Sequence, residues 1–342
     1  MDQTAQKSGH EFIGDRIANR EERIHINLGP VCNNNCVFCM EEDRTLRYEV
    51  NSAITPARVK KILQQNAGAA EVCFTSGEPT LVRELPGYVH WARQLRYDRI
   101  SVMTNGRRLS QMSYAEGLVK AGMNCFYISI HGNTRKMHDA LVRTPGAFEQ
   151  TLAGLDNVAR LLDRGVILHT STVVNHRNID HFAEIYSFLR AHGVQQVVFN
   201  VMQANGRADT YFDQLFPTYT LTAEKFAAFV ETSDEPEAQA FLVDIPLCIT
   251  HDRVPDFQRG YVERYVHFEV APEDGIARDP ASARARQSDD GEFLEVARSD
   301  LDAVAREKRA ECADCRYNQA CEGVWTNYIR RMGWDEFVPV PK

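Results

Sequence analysis

Between residues 24 and 202 the chain alternates short apolar runs with longer amphipathic stretches, and this alternation most restricts the architectures open to it. Strand-like runs are expected at 24–28, 71–75, 100–104, 126–130, 166–174 and 196–202. Helical stretches are expected at 55–65, 85–95, 110–121, 148–164 and 179–192. The first of these opens with Thr55 and Pro56, a capping residue followed by the proline that favours the first helical position. Strand and helix in regular turn imply an α/β fold with a parallel sheet, closed or partly closed into a barrel.

In such barrels the chemistry gathers at the C-terminal ends of the strands. The unusual polar motifs of this chain fall there. A cysteine-rich run follows the first strand, Ser76 to Thr80 (SGEPT) the second, Thr104 to Gly106 (TNG) the third, and Ser129 to Gly132 (SIHG) ends the fourth. Period-two alternation puts Tyr127, Ser129 and His131 on one side of the fourth strand, toward the barrel interior.

The cysteine-rich run, GPVCNNNCVFCME, offers three thiols within eight residues: Cys32, Cys36 and Cys39. Three soft ligands from one tight loop suit a 4Fe–4S cluster with one iron left open to an exogenous ligand. A structural zinc site wants four closed ligands, and Asn33, Asn34 and Asn35 are poor candidates for the fourth. A disulfide is disfavoured because the opening residues are polar and mixed in charge, unlike a signal peptide, so a reducing, cytoplasmic compartment is expected.

With 342 residues, 44% hydrophobic and 25% charged, the chain can bury a large core and should form one large domain and a smaller one. No apolar run is long enough for a membrane span. A net charge of -8 without a Lys/Arg block argues against a nucleic-acid footprint, so no DNA partner is expected.

The motifs together resemble those of radical S-adenosylmethionine enzymes. CNNNCVFC matches the family's CxxxCxxC, and SGEPT matches its Gly-Gly-Glu-Pro element with Ser76 in place of the first glycine. The order of strands and helices over about residues 20–210 is similar to the family's partial parallel (βα)6 TIM-like barrel. The resemblance implies that Cys32, Cys36 and Cys39 hold a 4Fe–4S cluster whose open iron takes S-adenosylmethionine. An electron from the reduced cluster then breaks the sulfonium C–S bond, and the 5′-deoxyadenosyl radical takes hydrogen from a substrate.

By the same resemblance Gly77 and Glu78 meet the methionyl amino group, Ser129 contacts the ribose or carboxylate of the cofactor, and Arg143 pairs with the methionyl carboxylate. Elementary chemistry agrees with the first pair: a carboxylate or carbonyl suits an ammonium donor, and glycine lets main chain come close. A lone Ser at a strand end is otherwise often a cap, and a lone Arg a solvated charge. Asn175 and Asn200 are further candidates for the adenosine pocket. His131 should project from the active face, whereas Cys73 and Cys125 read as small buried hydrophobes.

Toward the C-terminus Cys312, Cys315 and Cys321 form CxxCxxxxxC, and Cys248 stands upstream in DIPLCIT after an apolar, strand-like run. Four cysteines complete a cluster site, although four thiolates with a CxxC pair also describe a zinc ribbon. The spacing resembles the SPASM/Twitch-type extensions of radical S-adenosylmethionine barrels in their shorter, single-cluster version. The expected organisation is an N-terminal extension over 1–20, the barrel over 21–235 and an auxiliary-cluster domain over 236–342. Whether Cys248 completes the second cluster or leaves an iron open for substrate stays undecided at this level.

The expected activity is that of an oxygen-sensitive radical oxidoreductase or maturase, supplied with electrons by a flavodoxin or ferredoxin. Its substrate is a small molecule, a cofactor or natural-product precursor, or a ribosomally made peptide. Fewer than twenty-five residues precede the first strand, too few for the winged-helix leader-binding domain of many peptide-modifying relatives, which counts against a peptide. A non-catalytic iron–sulfur carrier or sensor is the alternative, but it would leave the large barrel and its Gly-Glu-Pro loop without a purpose.

Overall fold

The computed structural model describes residues 23–29, 31–40, 55–67, 71–234, 239–255 and 306–342 apart from 320 and 322, together with residue 258 and two short strands at 286–287 and 293–294. Seven strands form one sheet in sequence order, every neighbouring pair parallel. They are β1 (Arg23–Asn27), β2 (Glu71–Thr75), β3 (Arg99–Thr104), β4 (Cys125–Ser129), β5 (Ile167–Val174), β6 (Gln196–Val201) and β7 (Ala240–Val243). The sheet curls into a partial barrel that does not close, since β1 and β7 each have one sheet neighbour.

Parallel strands need crossovers, and helices supply them. These are α1 (Pro56–Gln65), α2 (Leu85–Gln94), α3 (Met112–Ala121), α4 (Arg135–Val142), α5 (Ala147–Ala159), α6 (Phe182–Ala191) and α7 (Tyr219–Glu231). Thr55 caps α1 as its sequence implies, its hydroxyl accepting from the Arg58 N–H at 3.2 Å with Pro56 at the first position.

Alternation along each strand sorts the side chains into two populations. Ile24, Ile26 and Leu28 of the β1 region, and Val197, Phe199 and Val201 of β6, join the core shared with the helices. Cys73, Cys125, Tyr127, Val198, Phe241 and Val243 form a separate cluster in the barrel interior. Cys73 and Cys125 are fully buried there, as small hydrophobes.

Three features depart from the sequence expectation. β7 adds a seventh strand to the expected six. It lies beyond residue 235, where the barrel was expected to end, because AFLV has the apolar character to pair along the β6 edge. The short helix α4 intervenes between β4 and α5, started by Thr134, whose hydroxyl accepts from the Met137 N–H at 3.3 Å. The helix expected over 148–164 stops at Ala159, and its last residues form a separate 3₁₀ turn, Leu162–Arg164.

The C-terminal segment docks on the barrel through aromatic packing. Tyr328 of α8 (Thr326–Met332) lies 4.5 Å from Tyr219 and 5.2 Å from Phe216, ring centre to ring centre. The Asn327 amide adds a hydrogen bond to the Ala204 carbonyl at 3.0 Å. Among the described residues no helix is long and apolar enough to cross a membrane.

Candidate functional site

The loop after β1 is held almost entirely through its main chain. The Asn35 and Val37 N–H groups donate to the carbonyls of Val142 and Leu141 at 3.0 and 2.9 Å, filling acceptors that the last turn of α4 leaves open. The Val31 carbonyl accepts from the Glu78 N–H at 2.8 Å. Two arginines close the other side. Arg107 donates to the Asn33 carbonyl and to Asn34 Oδ1, and Arg207 donates to the Cys36 carbonyl at 2.9 Å. The Arg207 N–H reaches the Cys39 carbonyl, also at 2.9 Å.

The three sulfurs lie close enough to influence one another electrostatically. Burial pushes the Cys36 thiol far above its ordinary range, and Cys39 and Cys32 push it further, with Arg207 opposing. A buried thiol whose anion its two cysteine neighbours disfavour belongs to a donor set that iron would relieve. Among the described residues no three side chains of His, Cys, Asp or Glu converge to hold a single metal ion. A cubane spreads its thiolates over separate irons, so this set fits a 4Fe–4S cluster. Cys32 Sγ also receives the Asn34 N–H at 3.4 Å and lies 4.0 Å from the Asn105 amide nitrogen.

The turn after β2 carries two consecutive left-handed residues, Ser76 at φ 72° and Gly77 at φ 53°. Glycine adopts this conformation at little cost; Ser76 adopts it against the preference of an L side chain. The turn drives Glu78 inward, to 1% exposure. Its Oε1 accepts from the Thr80 N–H (3.1 Å), the Thr80 hydroxyl (2.6 Å) and the Thr104 hydroxyl (2.5 Å). Its Oε2 accepts from the Asn105 N–H at 2.6 Å, which leaves one acceptor position on that oxygen. Burial raises the carboxyl pKa while these four hydrogen bonds oppose the rise.

Asn105 thus joins the motifs. Besides its N–H to Glu78, its amide donates to Asn33 Oδ1 at 2.6 Å and its Oδ1 accepts from the Arg107 N–H at 3.1 Å. The sequence marked TNG by its position on the active face but assigned it no role. Gly106 is required at its place: it has φ +74°, and a Cβ on it would come within 2.8 Å of Ile128 Cγ2.

Ser129 ends β4 on the inward side, half-buried and in register with Ser171 of β5. Ser171 is 2.6 Å from the Asn200 amide. Asn175, fully buried, organises the turn after β5: its N–H donates to Asn178 Oδ1 at 2.8 Å. Arg143 caps α4 in a left-handed conformation, φ 50°, with its side chain exposed. The structure therefore brings Gly77 and Glu78 to the cysteine loop, sets Ser129 in the barrel interior, and leaves Arg143 on the outer end of α4.

His131 lies just past β4, 4% exposed, with its ring edge against Phe38 of the cysteine loop at 4.7 Å. Its Nδ1 accepts from the Val173 N–H at 3.2 Å, and its own N–H donates to His138 Nδ1 at 3.1 Å. Burial depresses both imidazoles, His138 to about 4 and His131 well below its ordinary value, so both are neutral at pH 7. Rather than reaching out from the active face, His131 supports the loop from beneath.

At the other end of the chain, Cys248 sits on the helical turn Leu247–Thr250, which His251 Nδ1 ties to the Tyr317 hydroxyl at 3.0 Å. Burial pushes the Cys248 thiol up to about 12, and the neighbouring Cys321, Cys315 and Cys312 contribute to that rise. Cys248 therefore lies near the other three cysteines. Main-chain donors already face two of the sulfurs: the Gly323 N–H lies 3.4 Å from Cys321 Sγ and the Val340 N–H 3.3 Å from Cys315 Sγ.

Residues 26–189 match the family model of the Radical SAM superfamily. The chain is 31% identical over 179 residues to a probable GTP 3′,8-cyclase of Saccharolobus islandicus, covering 51% of this chain and 54% of that protein. It is 29% identical over 180 residues to the GTP 3′,8-cyclase of Marinobacter nauticus, covering 52% and 53%. The chain thus spans about half the length of the curated relatives it matches. Its fold is similar to that of Streptococcus suis SuiB bound to the precursor peptide SuiA, with a TM-score of 0.65 and 15% identity over 91% of this chain and 73% of that one. It is also similar to anSMEcpe with bound AdoMet, with a TM-score of 0.52 and 12% identity over 89% of each chain. Residues 26–189 are therefore similar to the Radical SAM superfamily, whose cofactors are a 4Fe–4S cluster and S-adenosylmethionine.

Proposed function

We propose that Cys32, Cys36 and Cys39 hold the 4Fe–4S cluster and that this chain cleaves S-adenosylmethionine reductively to abstract hydrogen from a substrate. The single observation behind this reading is the cysteine loop itself, where Arg107 and Arg207 take up the Asn33 and Cys36 carbonyls while Cys32 and Cys39 crowd the buried Cys36 thiol. When bound, the cluster and cofactor supply the electron and the 5′-deoxyadenosyl radical. The protein's contribution is orientation and exclusion of water. Glu78 has one acceptor position on Oε2 for the methionyl ammonium, with Gly77 main chain beside it. Ser129 faces the ribose from β4. Arg143, exposed on α4, would reach the methionyl carboxylate only by turning its long side chain inward.

Cys248, Cys312, Cys315 and Cys321 are proposed to hold a second, auxiliary 4Fe–4S cluster with a complete set of four thiolates. A barrel domain over about 21–235, extended by β7, and an auxiliary-cluster domain in the remainder follow from that assignment. The substrate is either a small molecule, as the GTP 3′,8-cyclase relatives would have it, or a peptide, as with SuiB and its precursor peptide. A cytoplasmic setting and a flavodoxin or ferredoxin as electron donor complete the reading.

The test is anaerobic. Protein reconstituted with iron and sulfide is given dithionite and S-adenosylmethionine, and 5′-deoxyadenosine is quantified by mass spectrometry. It should form with the wild type and not with Cys32→Ala. Cys315→Ala should retain part of the cleavage and lose product. Equal 5′-deoxyadenosine from wild type and Cys32→Ala would overturn the radical reading, and none from either, with the first cluster intact and S-adenosylmethionine unbound, would favour a carrier or sensor.

A further inference from the structure

Val31 is 41% exposed, a large apolar side chain at the surface one position before Cys32 of the cysteine loop. Its surroundings are fixed on both sides. The Val31 carbonyl accepts from the Glu78 N–H at 2.8 Å, which ties it to the turn after β2, and the Thr80 carbonyl of that turn accepts from Arg108 Nη1 at 2.6 Å. On the other side Arg107 donates to the Asn33 carbonyl, two residues beyond Val31, and through Nε to Gln150 Oε1 at 2.7 Å. Arg143 stands exposed just past the Val142 carbonyl that holds the Asn35 N–H.

Three arginines thus border the stretch of loop that carries the exposed valine. The partners of Arg107 are carbonyl and amide oxygens, and those of Arg108 are a carbonyl and the Tyr114 ring, 4.4 Å away. Such neutral partners orient a guanidinium without cancelling its charge. The exposed Glu149 nearby is itself engaged by Arg135 at 3.2 Å. Because the whole chain carries a net charge of -8, an acidic protein is repelled by the molecule at large and steered toward a local positive field such as this one.

A cluster in this loop takes its electron from outside the protein. Electron transfer weakens steeply with distance, so the donor has to meet the molecule where the cysteine loop reaches the surface. A small apolar contact within a charged rim suits so brief an encounter: the charges speed the approach, and the limited area lets the partner leave. Resting on the radical reading above, we propose that Val31, Arg107, Arg108 and the outward Arg143 form the docking face for a reduced flavodoxin. A flavodoxin is acidic and gives its electron through the apolar ring edge of its flavin, for which Val31 is the apolar counterpart. The reduced flavin anion loses one electron and keeps its proton, the oxidised cluster gains that electron, and no atom crosses the interface.

The test uses the full chain, reconstituted anaerobically and loaded with S-adenosylmethionine. Photoreduced flavodoxin is mixed with it in a stopped-flow cell, and the transfer is followed by flavin absorbance and by EPR of frozen samples. The rate constant should fall as salt rises from about 0.05 to about 0.5 M. It should also drop about tenfold in Val31→Asp and about threefold in Arg108→Gln, which keeps a donor for the Thr80 carbonyl while losing the charge. Dithionite, a small ion that needs no docking face, should reduce the cluster equally in the wild type and both variants. If Val31→Asp loads less iron, Arg108→Gln and the salt dependence of the wild type decide the matter. A flavodoxin rate that ignores salt, or that is unchanged in iron-loaded variants, would overturn the inference. Faster reduction by a ferredoxin, with the same sensitivity to both substitutions, would give the face to an iron–sulfur carrier and overturn the flavin assignment. Formation of 5′-deoxyadenosine is read separately: its absence while flavodoxin still reduces the cluster would sink the radical reading and leave the docking face standing.

Discussion

The Arg207 guanidinium donates to the carbonyl of Cys36 at 2.9 Å, across 171 positions of sequence. Together with the Arg207 N–H on the Cys39 carbonyl, it fastens the loop after β1, at one edge of the open sheet, to the loop after β6, one strand in from the other edge. Arg207→Met should release this fastening. A hydrogen bond from a charged group contributes about 1.5–3 kcal/mol, so iron and sulfide content after reconstitution should fall and thermal stability drop. Full cluster content with an unchanged melting temperature would show that the contact is incidental.

Gly206, the residue before this arginine, permits the approach. It adopts φ 57° and ψ -130°, a region open in practice to glycine, and a Cβ there would come within 2.4 Å of the Met40 carbonyl oxygen. Gly206→Ala is expected to destabilise the protein by about 2 kcal/mol or more, measured by chemical denaturation. A change within error of zero would mean that the two loops part freely.

Glu78 offers a sharper case. Its two oxygens each accept a backbone N–H, from Thr80 and from Asn105. Glu78→Gln must turn its NH₂ toward one of them, donor against donor. The variant should lose about 1–3 kcal/mol of stability and weaken S-adenosylmethionine binding, read by denaturation and by equilibrium dialysis. Wild-type values in both would remove Glu78 from the site.

Asn105 places its amide nitrogen 4.0 Å from Cys32 Sγ. Donors at cluster sulfurs stabilise the reduced, more negative state. Asn105→Ala should therefore shift the midpoint potential of the first cluster to more negative values in an EPR-monitored titration. A potential equal to that of the wild type would rule out this tuning.

The neutral histidine pair sets a pH dependence. His138 falls from 6.5 in the unfolded chain to about 4 in the folded one, so between these values the unfolded state binds the extra proton. Stability from this group is full above the unfolded pKa, declines as pH falls through it, and levels off below about 4. From pH 7 to pH 5 the loss should be about 2 kcal/mol. His138→Asn, which can still accept the His131 N–H, should lose correspondingly less over that window in urea titrations. Parallel curves for the two proteins would contradict the assignment.

Much of this molecule is legible before any coordinates. Strand and helix periodicities identify six of the seven barrel strands because each needs only local alternation, and the cysteine spacing marks the first loop because thiol chemistry resides in residue type. β7 was visible as an apolar run before Cys248, but its membership of the sheet depends on an edge offered by β6. The shortness of α4, eight residues, hid it among polar neighbours. His131 illustrates the limit of alternation: the strand pattern points it at the active face, but the chain turns after Ser129 and buries the ring against Phe38.

What the amino-acid order determined by itself is the parallel α/β class, the three-thiol loop and the placement of polar motifs at one end of the strands, all of which follow from neighbours within a few residues. Tertiary structure alone decided that Arg107 and Arg207 brace the cysteine loop, that Glu78 turns inward to Thr104 and Asn105, and that His131 is buried against Phe38. Each of these depends on distances between residues far apart in the chain, which barrel curvature and side-chain packing set and local pattern does not encode.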